Sequence, residues 1–153
     1  MLDLANYLPY LVNRVGARLA TDFSRVLRDG FGVTLSAWRV MAALHYQDGQ
    51  RVGQLSEMTS IEVSTLSRVL DMMQERKLVE RRRPLDDART VSVHLTPTGA
   101  DLTVRIIPIA RYYETVALSD FSPEEIDTFR MLLKRAFANM RALKDPAEIT
   151  AEL

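Results

Sequence analysis

The sequence predicts a mainly α fold with a small β-wing: a winged helix-turn-helix carried between longer helices at its two ends. Three observations predict it. Apolar residues recur at spacings of three and four over most of the chain. Strict alternation occurs in Thr90–Leu95, with Val91, Val93 and Leu95 on one face and Thr90, Ser92 and His94 on the other. Residues 55–99, LSEMTSIEVSTLSRVLDMMQERKLVERRRPLDDARTVSVHLTPTG, read as two short helices, a strand, a charged loop and a second strand that ends at a helix cap. That order suits nucleic acid: one helix enters a major groove while the wing reaches the neighbouring minor groove or the backbone.

Each element has its own reason. Leu11, Val15, Leu19, Phe23, Val26 and Leu27 make one face of a long first helix, with Pro9 near its start and a stop expected near Asp29-Gly30. Thr34 is the N-cap of a second helix that carries Trp38, Val40, Met41 and Leu44 and ends at Asp48-Gly49. Val52–Thr59 is a short third helix and Val63–Arg76 a fourth. Leu78–Arg83 and Thr90–Leu95 pair as strands around the loop Pro84–Arg89. Thr96-Pro97 caps and opens a fifth helix, in which Pro108 is expected to cause a kink or leave a carbonyl unpaired. Ser122-Pro123-Glu124-Glu125 is a capping box, and the helix it opens carries Ile126, Phe129, Leu132, Leu133, Ala136, Phe137, Met140 and Leu143 on one stripe.

The chain, 153 residues with 47% hydrophobic and 26% charged content, is long enough for one domain with a real core. With no cysteine, disulfides, Cys-ligated zinc and thiol redox switches are excluded. The start, MLDLANYLPYL, lacks a positively charged leader, and no apolar run approaches a membrane helix, so a cytoplasmic location and no membrane partner are expected. The formal net charge of +0 argues mildly against a nucleic-acid binder, yet the charge is polarised. Arg76, Lys77, Arg81, Arg82 and Arg83 face only Glu80 in their stretch, whereas acids outnumber bases from Ser119 onward. Taken alone, RKLVERRR is equally well a solvated charge run.

In the fourth helix Leu66, Val69, Leu70 and Met73 point into the core, and the opposite face carries Ser64, Arg68, Asp71 and Glu75 with Thr65 and Ser67 on its flanks. Because a recognition helix reads bases with its N-terminal part, Ser64, Thr65, Ser67 and Arg68 are the candidate contacts, and Arg68 is the one long donor among them. The bland alternative is a surface Arg68–Asp71 pair. Arg82 and Arg83 at the wing base, and Asp87 and Arg89 in its loop, complete the candidate DNA-binding set. Arg89 is either a solvated turn residue or a probe that Asp87 holds extended for a narrow minor groove. The amphipathic helices at the two ends either enlarge a monomeric core or pair with those of a second chain, and the two-fold homodimer is the commoner solution.

Gly32-Val33-Thr34, Trp38-Arg39-Val40, Leu55-Ser56-Glu57, Ser64-Thr65-Leu66-Ser67-Arg68, Leu78-Val79-Glu80-Arg81-Arg82, Asp87-Ala88-Arg89 and Leu95-Thr96-Pro97-Thr98-Gly99 together resemble the MarR family of bacterial transcriptional regulators, over roughly residues 10–140. The resemblance implies a homodimer on double-stranded, pseudo-palindromic operator DNA. It further implies a repressor released by a small, often aromatic or anionic, effector. On the family pattern residues 34–96 are the DNA-binding lobe of a single domain spanning 1–153, and residues 1–30 and 97–145 are the dimerisation lobe. Arg89 then reaches the minor groove. Lys77 stands where the family usually has glycine, so a positive φ there is expected to show as strain.

Catalytic signatures are absent: His45 and His94 have no metal-ligand spacing, and no phosphate loop or Ser-His-Asp signature occurs. No cofactor is implied and an enzyme is not expected. The resemblance puts an effector pocket between the two lobes, where Arg14, Trp38, His45, Tyr112 and Tyr113 would supply a cation, aromatic walls and polar handles. The plain alternative is that these side chains pack in the core or between chains. A winged helix used to bind protein, with the basic stretch solvated, is the alternative function.

Overall fold

The structure, a computed structural model, describes residues 2–83 and 91–142. In order these are α1 (Leu8–Phe31), α2 (Leu35–Tyr46), β1 (Gln50–Arg51), α3 (Val52–Thr59), α4 (Val63–Glu75), β2 (Val79–Arg82), β3 (Ser92–Leu95), α5 (Pro97–Ala117), α6 (Pro123–Asn139) and a closing 3₁₀ turn, Met140–Ala142. The chain divides into two compact units, Met1–Tyr113 and Glu114–Leu153. The wing loop lies outside the described residues, as do Thr90 and Leu143.

The first unit has one core. Phe23 and Leu27 of α1, Trp38, Val40, Met41 and Leu44 of α2, Leu55 of α3 and Leu66, Leu70 and Met73 of α4 are buried together with Val79, Val93 and Ile106. The three strands form an antiparallel sheet in the order β1-β3-β2, with Gln50 opposite Val93 and Arg82 opposite Ser92. β1 has only two residues and no alternation, so the sequence reading missed it. Gln50 is nevertheless buried, and its Nε2 donates to the carbonyls of Ala43 (3.1 Å) and Gln47 (2.8 Å), which seats the strand under the end of α2.

Several expected boundaries move. α1 continues through Gly30 to Phe31, because the left-handed cap is at Gly32 (φ 63°), whose N–H bonds the Arg28 carbonyl. α4 stops one residue early, with Arg76 as its cap, and β2 and β3 are shorter than expected. α5 runs unbroken across Pro108. The missing N–H leaves the Val104 carbonyl without its i+4 donor, on an exposed residue where water can reach it. The caps at Thr34 and Ser122 form as expected, with Ala37 N 3.2 Å from the Thr34 hydroxyl and Glu125 N 3.2 Å from that of Ser122.

The Leu95-Thr96-Pro97-Thr98-Gly99 run joins the sheet to α5. The Thr96 hydroxyl donates to the Lys77 carbonyl at 2.6 Å and accepts from Gly99 N at 3.0 Å. The Thr96 N–H donates to the Leu78 carbonyl at 3.1 Å. The helix starts so close to Leu78 that a Cβ on Gly99 would lie 2.0 Å from that carbonyl oxygen. Only glycine fits. Lys77 takes φ 56°, the left-handed conformation expected where a glycine is usual. Its N–H still bonds the Gln74 carbonyl at 2.9 Å, so the last turn of α4 is closed with a lysine where a glycine would be unstrained.

Candidate nucleic-acid interface

α3 and α4 meet through a tight turn at Ser60–Glu62. Ser60 takes the left-handed conformation at φ 54°, and the Ser56 hydroxyl bonds the Ile61 carbonyl at 2.7 Å. Ile61 is buried and anchors the turn. Glu62 then caps α4, accepting from the Ser64 N–H at 3.4 Å and from the Ser64 hydroxyl. An acid at this end also opposes the positive pole of the helix.

The wheel argument for α4 is met by the burial. Leu66, Leu70 and Met73 are wholly buried and Val69 partly so, while Ser64, Thr65, Ser67 and Arg68 are all exposed on the other side. The Ser64 hydroxyl donates to Glu62, which leaves its lone pairs free to accept. Arg68 does not pair with Asp71. Among the described residues it makes no ion pair, and Asp71 is instead held by Arg81 at 2.6 Å. Arg82 chelates the neighbouring Glu80 through Nε (2.8 Å) and an η nitrogen, and Arg83 is exposed where β2 ends. Asp87 and Arg89 lie outside the described residues.

The wing is tied down at its base. Asp48, in the turn between α2 and β1, accepts from the Leu95 N–H at 2.9 Å and from His94 Nδ1 at 2.8 Å. The other ring nitrogen of His94 lies 3.0 Å from the Ser92 hydroxyl. Partial burial pushes the Asp48 carboxyl up, but the Leu95 N–H and the His94 ring outweigh this and hold it below the usual carboxylate range. Gly49, at φ 74°, lets the turn pass the imidazole, since a Cβ there would meet His94 Cε1 at 2.9 Å. Alternation put His94 on the polar face, and nothing in it pointed to this clasp across 46 residues.

Of the candidate effector residues, Trp38 and Tyr113 come together. Both rings pack on Phe23, at 5.8 Å edge-on and 5.4 Å tilted, and Tyr112 stands edge-on to Tyr113 at 6.0 Å. Trp38 is buried and Tyr112 exposed. Arg14 and His45 are not part of this cluster: Arg14 lies over the Tyr10 ring at 5.7 Å, and His45 is exposed in the last turn of α2. Among the described residues no helix is long and apolar enough to cross a membrane.

An exposed, polar first half on the second helix of a helix-turn-helix, beside a clasped antiparallel wing, defines a winged-helix DNA-binding protein. The MarR family profile matches residues 31–90. Across 125 residues the chain is 31% identical to an uncharacterised HTH-type transcriptional regulator of Bacillus subtilis, YsmB, covering 82% of this chain and 86% of that one. A MarR-family regulator from Silicibacter pomeroyi superposes with a TM-score of 0.83 at 31% identity, over 94% of this chain and 96% of that one. The BpsR protein of Bordetella bronchiseptica, whose DNA binding is regulated by 6-hydroxynicotinic acid, superposes at 0.74 with 25% identity, over 84% and 97% of the two chains. The chain belongs to the MarR family. It is a DNA-binding transcriptional regulator, and its relatives are regulators rather than enzymes.

Proposed function

We propose that the protein is a repressor that binds a pseudo-palindromic operator as a homodimer and leaves it when a small aromatic or anionic effector binds. The observation that carries the DNA-reading part is the division of α4: three wholly buried apolar side chains on one side, Ser64, Thr65, Ser67 and Arg68 on the other. In this reading residues 34–96 form the DNA-binding lobe of one domain spanning the chain. Arg68 grips a guanine edge or a phosphate, Arg82 and Arg83 meet the backbone, and Arg89 with Asp87 reaches the minor groove.

The homodimer, for which residues 1–30 and 97–145 would supply the contact, is supported by what α1 and α6 leave open. α6 has no buried residue, and Phe129, Leu132, Leu133 and Phe137 on it are exposed, as are Leu8, Leu11, Val12 and Val15 in the first half of α1. Apolar stripes of this size are ordinary at the interface of an obligate pair and rare on a free surface. Effector control is supported by BpsR, a structural relative regulated by an aromatic acid. On this chain Trp38, Tyr112 and Tyr113 offer aromatic walls, and Arg14 and His45 are the candidate polar partners.

The test is a competition titration on duplex DNA from upstream of the protein's own gene, with Arg68→Ala and Arg89→Ala beside the wild type. Arg89→Ala is expected to weaken operator binding while leaving the oligomeric state unchanged. Arg68→Ala is expected to lose about 1–3 kcal/mol of discrimination at one base pair of each half-site. Equal losses on operator and random duplex would make Arg68 a phosphate contact only.

A further inference from the structure

Arg81 sits in the run Arg81-Arg82-Arg83, and composition counts it with the phosphate-seeking cations. Arg82 also holds a carboxylate, Glu80, but on its own strand, whereas the partners of Arg81 lie on another element. One η nitrogen donates to Asp71 Oδ1 at 2.6 Å and the other to Gln74 Oε1 at 3.0 Å. Asp71 and Gln74 are three residues apart on α4, so a single guanidinium on β2 spans most of one turn of the recognition helix. The Arg81 side chain is 29% exposed, against 59% for Arg82. Asp71, Gln74, Glu75 and Arg81 together line a shallow depression of about 440 Å³. Its two carboxylates make it a poor seat for an anion. If the N-terminal part of α4 reads the bases, as proposed above, Asp71 and Gln74 lie nearer the exit of the groove and its phosphates, where an uncovered carboxylate repels the backbone.

We propose that Arg81 is a positioning residue and not a phosphate contact: it neutralises Asp71 and ties the recognition helix to the wing strand, so that α4 and β2 meet DNA as one body. The proposal rests on the DNA-binding reading of α4. It separates two effects that a direct phosphate contact would not. Loss of Arg81 alone leaves Asp71 facing the DNA uncompensated. Loss of both charges leaves the local charge balance of the wild type, with two amides that still hydrogen-bond.

The experiment compares full-length wild type, Arg81→Gln and the double variant Asp71→Asn/Arg81→Gln on a random-sequence duplex over a range of salt, after a thermal melt of each. Arg81→Gln is expected to lose roughly threefold to fivefold in affinity, the scale of an exposed charge pair. The double variant is expected to recover most of that loss, with the salt dependence of wild type. A double variant as weak as the single one, with the slope of log K against log salt reduced by about 0.9, makes Arg81 a phosphate ligand and overturns the proposal. Full affinity in Arg81→Gln overturns it too. If the wild type itself shows no salt-dependent affinity for DNA, the DNA-binding reading fails, and the proposal with it.

Discussion

Leu66, Leu70 and Met73 of α4 are wholly buried within one copy of the chain, whereas α6 buries none of its residues and leaves Phe137 61% exposed. Both helices carry an apolar stripe at helical spacing and both have a side-chain cap. The difference is what stands opposite the stripe. α4 lies against α2, α3 and β2, which supply Met41, Leu55 and Val79 to its core. The second unit, taken by itself, leaves Phe129, Leu132, Leu133 and Phe137 of α6 exposed. α1 shows the same contrast along its own length, burying Phe23 and Leu27 while Leu8, Leu11, Val12 and Val15 remain open. Amphipathicity therefore marks a helix that needs a partner, and burial alone tells whether the partner belongs to the same chain. Each large apolar side chain left open forgoes about 1.5–3 kcal/mol of burial, which is the basis of the homodimer proposed above.

The largest effect should come from Gly99→Val, which attacks the self-sufficient region. The added Cβ meets the Leu78 carbonyl, a backbone atom that cannot turn aside. A loss of about 3 kcal/mol or more in unfolding free energy is expected by denaturant titration, with DNA binding lost alongside. A loss below about 1 kcal/mol would mean that the strand–helix junction yields more readily than packed backbone should. Next comes Phe137→Glu, aimed at the open region. Sedimentation should show dimer dissociation strengthened by roughly 30-fold or more, about 2 kcal/mol, while the melt of the DNA-binding lobe barely moves. An unchanged association constant would remove α6 from the interface.

Two smaller changes sharpen the account of the lobe. Lys77→Gly relieves the φ of 56° and should stabilise the protein by about 1 kcal/mol, offset in part by the greater freedom of an unfolded glycine. No gain would show that the lysine conformation costs little. The smallest effect belongs to Asp48→Asn. The carboxyl is held below its ordinary value of 3.8, so its share of stability is present above that pH and is lost as the pH falls through the depressed value. The stability gap between wild type and Asp48→Asn should therefore close as the solution is acidified below 3.8. A gap independent of pH would show that the Leu95 N–H and His94 bonds contribute through geometry alone.

These contrasts also explain what could be read from the amino acids. The order of α1 to α6 and of the two wing strands, the caps at Thr34 and Ser122 and the buried face of α4 follow from local periodicity and cap chemistry, and these were legible. The end of α1 was misplaced because a glycine signals a stop without saying which of Gly30 and Gly32 takes the left-handed conformation. β1 escaped because two residues have no period. Three features at the site were out of reach for a common reason. Asp48 clasping His94, Arg81 bridging to Asp71 and Gly99 abutting Leu78 are all contacts between distant elements, and spacing along one element carries no trace of them. The positive φ at Lys77 came from the family pattern and not from lysine itself.

The central claim is that two copies of this chain, held by the stripes left open in one, read DNA through α4. Selection of bound sites from a pool of random duplexes by the purified protein tests it most directly. The account predicts enrichment of a two-fold symmetric sequence with half-sites about one helical turn apart, roughly 34–36 Å between centres. Arg68→Ala should erase the preference at one base pair in each half. Recovery of a pool no different from the starting one, at salt low enough for the protein to be bound, would contradict it.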